Sequence, residues 1–458
     1  MRIEINSECV LTGLNSVIQE SIEQAMSFPN PQWAENERRG FSNYRTPKIV
    51  RGFKRTSGGL LIPRGAVGLL IHLARQAGER IEIVDRRRTL PEVDFEFRGA
   101  LRDYQERAVA DVLRRDFGTL VAPTGSGKTT MALAIIAARR QPALIVVHTR
   151  ELAEQWRQRA AEFLGLDKGE IGQIGNGKFR IGERLTIALV QSLYERAQEV
   201  SEHVGFLVID ECHHCPSRTF SEAVQAFDCR FMLGLSATPY RRDGLGRLIS
   251  WYIGPVVHKI DQGGLVDQGA LVRAEVEQVR TDFWTDTDAS IYYGKVLSEL
   301  TEDEGRNRLI ADTVVRQAKN GGGLILVLSD RKQHCETLRA LLERSGIDAV
   351  TLTGDLATGK RKEIVERMQS GQVRVVCGTG SLLGEGFDMP SVETLAIATP
   401  IKFSGRLIQF VGRALRPARG KSTARIIDFV DAGNPVLRAG ARSRLRAFER
   451  MPGITVHG

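Results

Sequence analysis

Short apolar runs alternate with amphipathic stretches along most of the chain, from about residue 118 onwards. This rhythm is typical of buried parallel strands separated by helices. A first group of runs occupies 119–122, 144–148, 186–190, 206–210 and 231–236. A second group occupies 324–328, 349–353, 374–377, 394–398 and 426–429. The pattern predicts an α/β protein with two successive units, each built around a parallel sheet.

Two regions depart from this rhythm. Residues 1–97 contain several prolines and no regular strand–helix alternation, which predicts a small N-terminal α+β domain. Residues 259–302 contain glycines and a polar run, and they predict a linker with some structure of its own. The predicted α/β domains are therefore 98–258 and 303–458.

The composition is ordinary for a soluble protein, with 42% hydrophobic and 26% charged residues among 458. No apolar run approaches the roughly 20 residues that cross a bilayer, and the first residues lack the apolar core of a signal peptide. Six cysteines are scattered along the chain, unlike a disulfide framework. We therefore expect a cytoplasmic protein without membrane contact. The net charge of +9 favours a polyanionic partner.

The segment 122–129 reads A-P-T-G-S-G-K-T and lies between an apolar run and a helix-forming stretch. Gly125 and Gly127 allow successive backbone N–H groups to face phosphate oxygens. Lys128 is expected to reach the β- and γ-phosphates, and the Thr129 hydroxyl to bind Mg²⁺. The predicted nucleotide-binding residues of this loop are Pro123, Thr124, Gly125, Ser126, Gly127, Lys128, Thr129 and Thr130.

Two adjacent acids, Asp210 and Glu211, end the apolar run that begins at 206. Ligands of open parallel sheets gather at such strand ends. We expect Asp210 to hold Mg²⁺ and Glu211 to polarise the attacking water. Cys212 and Cys215 flank two histidines, so zinc is an alternative, although no second ligand pair follows at finger-like spacing.

The sequence D-E-C-H at 210–213, followed by S-A-T at 236–238, resembles the DExH branch of the superfamily two helicases. Six further motifs of that family are matched in order, at 101–105, 148–156, 186–192, 326–330, 384–388 and 409–416. The resemblance implies two tandem RecA-like domains that couple ATP and Mg²⁺ to movement on nucleic acid.

The resemblance also implies roles for single residues. Arg102 and Gln105 would contact adenine, and Gly386 and Asp388 would complete the nucleotide site. Arg413 and Arg416 would reach the γ-phosphate from the second domain, so that ATP closes a cleft, and Gln409 would be a further catalytic residue. A solvated basic helix face is the alternative for these arginines. Ser236, Ala237 and Thr238 would couple the nucleotide state to a nucleic-acid track formed by Thr149, Arg150, Gly175, Gln191 and Thr379.

Three features are similar to the branch that contains XPB and UvsW: the double histidine after Glu211 and the stretches 234–243 and 253–256. XPB carries an Arg-Glu-Asp element where this chain has Arg241-Arg242-Asp243, so a duplex-separating element and a plain basic loop both stay open. The resemblance implies a monomer acting on duplex, forked or branched DNA with 3′ to 5′ polarity. RNA is an alternative substrate, and the motor or ATP-gated clamp of a nuclease or defence complex is an alternative function.

Two basic segments have no place in these motifs. Between residues 38 and 64 the chain has eight Lys or Arg residues and no acid, with Phe41, Tyr44 and Phe53 interleaved. This predicts either a duplex-binding surface or a solvated surface with core aromatics. Five arginines between 438 and 450 predict either an extension of the track or a polar helix face.

Overall fold

The computed structural model describes residues 1–214, 218–237, 244–321, 323–380, 392–401, 405–418 and 421–457, with backbone alone at 214, 218–220, 358 and 405–409. The chain forms two compact units. The first comprises Met1–Ala122 and Gly127–Ile260, and the second Pro123–Ser126 and Asp261–Gly458. Within the described residues, no helix is both long enough and apolar enough to span a bilayer.

The N-terminal part of the first unit is an α+β layer. Its elements are β1 (Arg2–Ile5), β2 (Glu8–Thr12), α1 (Ser16–Ala25), β3 (Ser27–Pro29), α2 (Pro31–Arg38), β4 (Ile49–Arg51), β5 (Lys54–Thr56), β6 (Gly59–Pro63), α3 (Val67–Gln76) and β7 (Glu82–Asp85). Five strands pair in the order β5-β6-β2-β1-β7, and β3 pairs with β4. Ile18, Ile22 and Leu70 of the helices pack on the apolar face of the larger sheet.

The rest of the first unit is a sheet in the order β11-β10-β12-β9-β13-β14-β8-β15, in which every pair is parallel except β10 with β11. Its elements are α4 (Asp103–Leu113), β8 (Phe117–Val121), α5 (Lys128–Arg139), β9 (Ala143–Val147), α6 (Arg150–Leu164), β10 (Gly172–Gly175), β11 (Lys178–Arg180), β12 (Leu185–Leu189), α7 (Val190–Tyr194), α8 (Ala197–Ser201), β13 (Phe206–Ile209), α9 (Arg218–Gln225), β14 (Phe231–Ser236), α10 (Gly246–Tyr252) and β15 (Val256–Lys259). The inner strands are buried on both faces, which explains their continuous apolar runs.

The second unit is a parallel sheet in the order β18-β19-β17-β20-β21-β16-β22. Its elements are α11 (Gln262–Asp267), β16 (Arg273–Thr281), α12 (Tyr293–Glu302), α13 (Glu304–Asn320), β17 (Leu324–Ser329), α14 (Lys332–Arg344), β18 (Ala349–Leu352), α15 (Thr358–Gln369), β19 (Val375–Thr379), β20 (Val392–Ile397), α16 (Gly405–Ala414), β21 (Thr423–Asp431), α17 (Pro435–Glu449) and β22 (Ile454–His457). The two sheets confirm the predicted α/β class.

The predicted linker 259–302 is wrong in one respect. It contains β16, which pairs with β21 over nine residues and with β22 on its other side, so it belongs to the second sheet. The sequence R-A-E-V-E-Q-V-R-T alternates polar and apolar positions, unlike the other inner strands. The compact second unit therefore begins near Asp261 rather than near 303.

The C-terminal arginines divide between two environments on α17. Arg444 is buried, and its Nε donates to Asp428 at 2.8 Å. Arg438, Arg442 and Arg446 recur every four residues and lie exposed on the other face. The segment is thus an amphipathic helix with a polar face and one buried ion pair.

The N-terminal sheet is joined to the α/β part of the first unit through α10. Trp251 is 5% exposed and packs with the N-terminal core, its ring 5.5 Å from that of Phe28. Gly65 approaches the same helix so closely that a Cβ there would lie 2.6 Å from the carbonyl oxygen of Ser250. Packing of this kind fixes the two layers of the first unit against each other.

Candidate active site

The order of strands in the first sheet assembles the predicted phosphate site. Strands β8, β14 and β13 are neighbours and parallel, so their carboxyl ends meet at one edge. The phosphate loop follows β8, Asp210 and Glu211 follow β13, and Ser236 ends β14. Segments that are 80 to 110 residues apart in sequence therefore meet at one edge of this sheet.

The phosphate loop needs glycine at two positions. Gly125 and Gly127 have φ values of 90° and 83°, in the left-handed region where a Cβ is unfavourable. A Cβ on Gly127 would also lie 2.3 Å from Nε2 of Gln105. Gln105 is buried, and its Oε1 accepts a hydrogen bond from the backbone N–H of the exposed Arg102. The predicted adenine-reading pair thus begins α4 directly beside the loop.

Lys128 is the first residue of α5 and lies between the two halves of the site. Its Nζ donates to the Ala122 carbonyl at 3.1 Å and lies 4.0 Å from Oε1 of Glu211. Thr129 and Thr130 follow in the first turn, both half-buried. From this one position the Lys128 ammonium can interact both with a bound phosphate and with the Glu211 carboxylate.

Asp210 is held by two donors. Its Oδ2 accepts from Nε1 of Trp156 at 2.8 Å, and its Oδ1 accepts from the backbone N–H of Glu211 at 2.9 Å. Burial and the adjacent charge of Glu211 raise the pKa of Asp210 to about 6. A buried carboxylate that is costly to ionise gains most from a bound cation.

Glu211 has the opposite tendency. Burial alone would raise its pKa, but the positive charge of Lys128 and the hydrogen bond from His213 lower it to about 2. Nδ1 of His213 lies 3.2 Å from Oε2 of Glu211 and 3.3 Å from Oγ of Ser236. An ionised carboxylate in this position can accept a proton from, or orient, a water molecule. His213 also links this carboxylate to the end of β14.

These residues fit a magnesium–nucleotide complex. Carboxylate and hydroxyl oxygens, such as those of Asp210 and Thr129, are the ligands that Mg²⁺ prefers. The Thr124 hydroxyl is buried and makes no hydrogen bond within the described residues, so it can still bind an added oxygen. The N-terminus of α5 adds its partial positive charge. Among the described side chains, no group of three or more possible metal ligands occurs. Cys215 and the side chain of His214, which the zinc alternative would use, lie outside them.

The predicted nucleic-acid residues of the first unit lie at the same edge of the sheet, on the other side of β13. Thr149 follows β9 and caps α6, where its hydroxyl accepts from the Leu152 N–H at 3.2 Å. Arg150 is exposed, and Gln191 lies just after β12. Gly175 ends β10 with φ 121°, and a Cβ there would lie 2.8 Å from the Leu189 side chain. Packing alone therefore accounts for this glycine.

The second unit carries the predicted arginines at the end of α16. Arg413 is in its last turn and Arg416 lies just beyond it, both half-buried. Gln409 is in the same helix, but its side chain lies outside the described residues. Thr379 is buried at the end of β19. Ala237 is half-buried after Ser236, whereas Thr238, the element 241–243, Gly386 and Asp388 lie outside the described residues.

Three residues of these sites carried no role in the sequence prediction. Trp156 and His213 lie inside quoted motifs. Trp156 reaches Asp210 only because the sheet brings α6 to the site, whereas His213 lies two residues after Glu211 and contacts it locally. Lys421 donates to the carbonyl oxygens of Val392 at 2.7 Å and Arg416 at 3.1 Å, and also to that of Ala414. Nothing in the spacing of the motifs indicates this lysine.

Comparison with known proteins identifies the two halves. A family model described as Type III restriction enzyme, res subunit, matches residues 98–241. A model described as Helicase conserved C-terminal domain matches residues 306–418. The chain belongs to the superfamily two helicases. Within this superfamily, a DNA 3′-5′ translocase, XPB2, of Sulfurisphaera tokodaii is 28% identical over 75% of this chain and 84% of its own length. The predicted XPB-like branch is thereby confirmed.

Two further proteins match over similar lengths. A protein of Acanthamoeba polyphaga mimivirus, provisionally named an ATP-dependent RNA helicase, is 27% identical over 79% of this chain and 70% of its own length. The structure of Saccharomyces cerevisiae Dbp5 bound to RNA and ADP BeF3 matches with a TM-score of 0.54 and 16% identity, covering 78% of this chain and 89% of that one. This likeness confirms the tandem RecA-like fold.

Proposed function

We propose that the protein is an ATP- and Mg²⁺-dependent DNA helicase or translocase that moves along or remodels duplex, forked or branched DNA. The observation that carries the proposal is the group formed by Lys128, Asp210 and Glu211. In this group the Lys128 ammonium lies 4.0 Å from the Glu211 carboxylate, whose pKa is lowered, and close to the Asp210 carboxylate, whose pKa is raised. A superfamily two helicase needs these groups to hydrolyse ATP.

In the proposed reaction, the loop 123–130 holds the phosphates of ATP through its backbone N–H groups and Lys128. Mg²⁺ held by Thr129 and Asp210 would neutralise charge on the β- and γ-phosphates. Glu211 orients the attacking water and takes its proton, while Lys128 keeps that carboxylate ionised. His213 contacts both Glu211 and Ser236, so a change in the protonation of Glu211 would alter the contact with Ser236 at the end of β14.

Arg413 and Arg416 act in this proposal as arginine fingers from the second unit. Contact of two guanidinium groups with the γ-phosphate favours closure while ATP is intact, and its release after hydrolysis allows reopening. Thr149, Arg150, Gly175 and Gln191, with Thr379 of the second unit, would bind backbone phosphates. Backbone contacts carry little sequence information, so binding is expected to be nonspecific and sensitive to salt.

We propose DNA rather than RNA because the XPB2 relative is a DNA translocase. The match with this chain extends over 84% of XPB2 but over only 70% of the viral relative. The polarity of 3′ to 5′ is proposed on the same ground. We further propose a cytoplasmic monomer in which residues 1–97 act as an accessory domain that contacts DNA.

ATP turnover with single-stranded DNA, duplex, forked DNA and RNA tests the proposal, followed by strand displacement on the best activator. We expect DNA to stimulate most and Arg416→Ala to reduce stimulated turnover by about 10³-fold with little change in ATP affinity. Stronger stimulation by RNA, or wild-type turnover in Arg416→Ala, would refute the substrate or the finger assignment respectively.

A second candidate function follows from the name of the first family model. A res subunit match over 98–241 favours a motor that serves a nuclease partner. That function predicts ATP turnover stimulated by duplex DNA without displacement of a strand. The displacement assay therefore separates the two candidates.

A further inference from the structure

The N-terminal α+β layer contains a loop at residues 39–48, and we call it the aromatic loop. It connects α2 to β4. The segment formed by α2 and this loop begins after β3 and ends at β4, and these two short strands pair with each other. Exposed aromatic side chains are its main feature: Tyr44 is 92% exposed and Phe41 is 62% exposed. Aromatic rings normally bury their area, so two exposed rings on one loop indicate a ligand surface.

Side-chain amides hold the loop in one conformation. Asn36 donates through Nδ2 to Oδ1 of Asn43 at 3.0 Å, and Asn43 donates to the Trp33 carbonyl at 3.1 Å. The Phe41 N–H donates to the Asn36 carbonyl at 2.8 Å. Asn30 is buried and donates to the Pro47 carbonyl at 2.8 Å. The rings are therefore presented by a braced loop, which lowers the entropy lost on binding.

The charge around the rings is one-sided. Seven Lys or Arg residues and no acid occur between positions 38 and 55. Two are matched by acids outside that stretch, since Arg39 pairs with Glu35 at 2.5 Å and Arg55 with Glu23 at 2.6 Å. Arg38, Arg45 and Arg51 are exposed and form no ion pair within the described part of the chain. The exposed rings and the basic residues around them therefore suit a ligand that is both negatively charged and rich in planar rings.

We propose that the aromatic loop binds single-stranded nucleic acid by stacking Phe41 and Tyr44 on unpaired bases. Bases inside a duplex already stack on each other and offer no free face, whereas every unpaired base does. The loop would then recognise the unpaired strand beside a duplex rather than the duplex itself. This inference rests on the proposed nucleic-acid motor and names the ligand of its N-terminal domain.

The loop is connected to the motor by packing. The segment that carries it, from β3 to β4, packs on α10 through the contact between Phe28 and Trp251. Pro31 of the same segment lies next to Gly244, where a Cβ would be 2.7 Å from the proline ring. Helix α10 follows β14 in the chain, and β14 ends at Ser236 in the ATP site. A base held by the loop would therefore stay fixed relative to the ATP-binding unit.

Binding without ATP separates this inference from the proposed function. Fluorescence anisotropy of the full chain would be measured with a labelled 20-nucleotide dT strand and with a blunt 20-base-pair duplex, each over a series of salt concentrations. Removing either ring, in Phe41→Ala or in Tyr44→Ala, should weaken single-strand binding roughly 5- to 150-fold, the range expected for stacking of one base, and the double variant Phe41→Ala/Tyr44→Ala should weaken it further. Duplex affinity should stay within about twofold, and the slope of log affinity against log salt should not change.

Three further variants make the test specific. Tyr44→Phe keeps the ring and should restore most of the affinity that Tyr44→Ala loses. Arg38→Gln/Arg45→Gln should instead flatten the salt slope, by about 0.7 for each phosphate of a single strand that the variant no longer neutralises. Tyr292→Ala is the matched control, since Tyr292 is 60% exposed near Asp286 and Asp288 and should have no effect.

The contrary results are equally distinct. If Phe41→Ala/Tyr44→Ala weakened binding of the single strand and of the duplex equally, the loop would bind the sugar–phosphate backbone of the DNA, and the stacking proposal would be overturned. Unchanged binding in the double-alanine variant, with DNA-stimulated ATP turnover intact, would overturn it and leave the proposed function standing, with a protein partner as the remaining occupant. Absence of both binding and stimulation in the wild type would refute the proposed function itself.

Discussion

Glu211 has a left-handed backbone, with φ 48°, although it is not glycine. Such a conformation costs on the order of 1–3 kcal/mol in a non-glycine residue and persists only where its surroundings enforce it. Here the turn lets the Glu211 N–H donate to Oδ1 of Asp210 while the side chain lies near Lys128. Two successive acids thus have different partners, Trp156 for Asp210 and Lys128 for Glu211.

Replacing Glu211 by glutamine should separate binding from turnover. Glutamine keeps the size of the side chain but cannot accept the proton of the attacking water, so turnover should fall roughly 10²- to 10⁴-fold. ATP affinity should change by less than about threefold. Phosphate release and equilibrium ATP binding measure the two quantities, with the exposed Glu202→Gln as control. A turnover within about tenfold of wild type would exclude Glu211 as the general base.

The raised pKa of Asp210 predicts a pH dependence of stability without nucleotide and Mg²⁺. The folded protein binds a proton at Asp210 up to about pH 6, whereas the unfolded chain releases it near its ordinary value of 3.8. The contribution of this residue to the free energy of unfolding should therefore fall as pH rises from about 4 to about 6.

Denaturant unfolding of wild type and Asp210→Asn over that pH range measures this contribution as the difference between the two proteins. The comparison cancels the titration of the other carboxylates. A difference that rises with pH, or does not vary, would contradict the environment described for Asp210.

At the scale of elements, the end of α16 is held by one half-buried lysine, Lys421. Within the described residues, Lys421 donates to three carbonyl oxygens, two at or beyond the end of the helix and one on β20. Burial lowers the pKa of Lys421 to about 8, opposed by the charge of Glu393. The protonated amine has three N–H donors for three acceptors, and the neutral amine has only two. The loop that carries Arg416 should therefore be held best below that pH.

Lys421→Met should lower ATP turnover on the order of tenfold with little change in ATP affinity, because a displaced finger stabilises the transition state less well. Turnover of the wild type should decline as pH rises through about 8, and Lys421→Arg should retain activity to higher pH. Steady-state kinetics against pH measures both, with the exposed Lys319→Met as control. Wild-type turnover in Lys421→Met would refute this positioning role.

Helix α10 connects the N-terminal α+β layer to the α/β part of the first unit. Trp251→Ala should lower the free energy of unfolding by about 3–5 kcal/mol, as large buried aromatics do when truncated. Trp284 is 64% exposed, so Trp284→Ala should change it by less than about 0.5 kcal/mol. Urea denaturation followed by circular dichroism compares the two. Equal stabilities would mean that α10 does not hold the layers together.

At the scale of the whole molecule, the buried strands were the predictable part. Each of the ten predicted runs coincides with a strand, because strands covered on both faces need continuous apolar sequence. Five described strands of the two sheets lie outside the predicted runs: β10, β11, β15, β16 and β22. Strand β16 alternates polar and apolar residues, and β10 contains two glycines, so neither has an apolar run. Their places depend on pairing with distant strands, which local pattern does not encode.

The candidate site was predictable to a similar extent. Motif spacing indicated Lys128, Asp210 and Glu211, because their chemistry needs those residue types at the ends of strands. The partners that tune them come from elsewhere in the chain, as Trp156 is 54 residues from Asp210. Such partners are fixed by the order of strands in the sheet, so only the folded chain shows them.

The hydrogen bond between Trp156 and Asp210 has an optical consequence. The indole is 1% exposed, and its N–H points at a carboxylate whose charge changes with protonation or with a bound cation. Indole absorption and emission respond to the local electric field. The protein therefore contains a native chromophore at the proposed magnesium site, and its spectrum would follow each turnover without an added label.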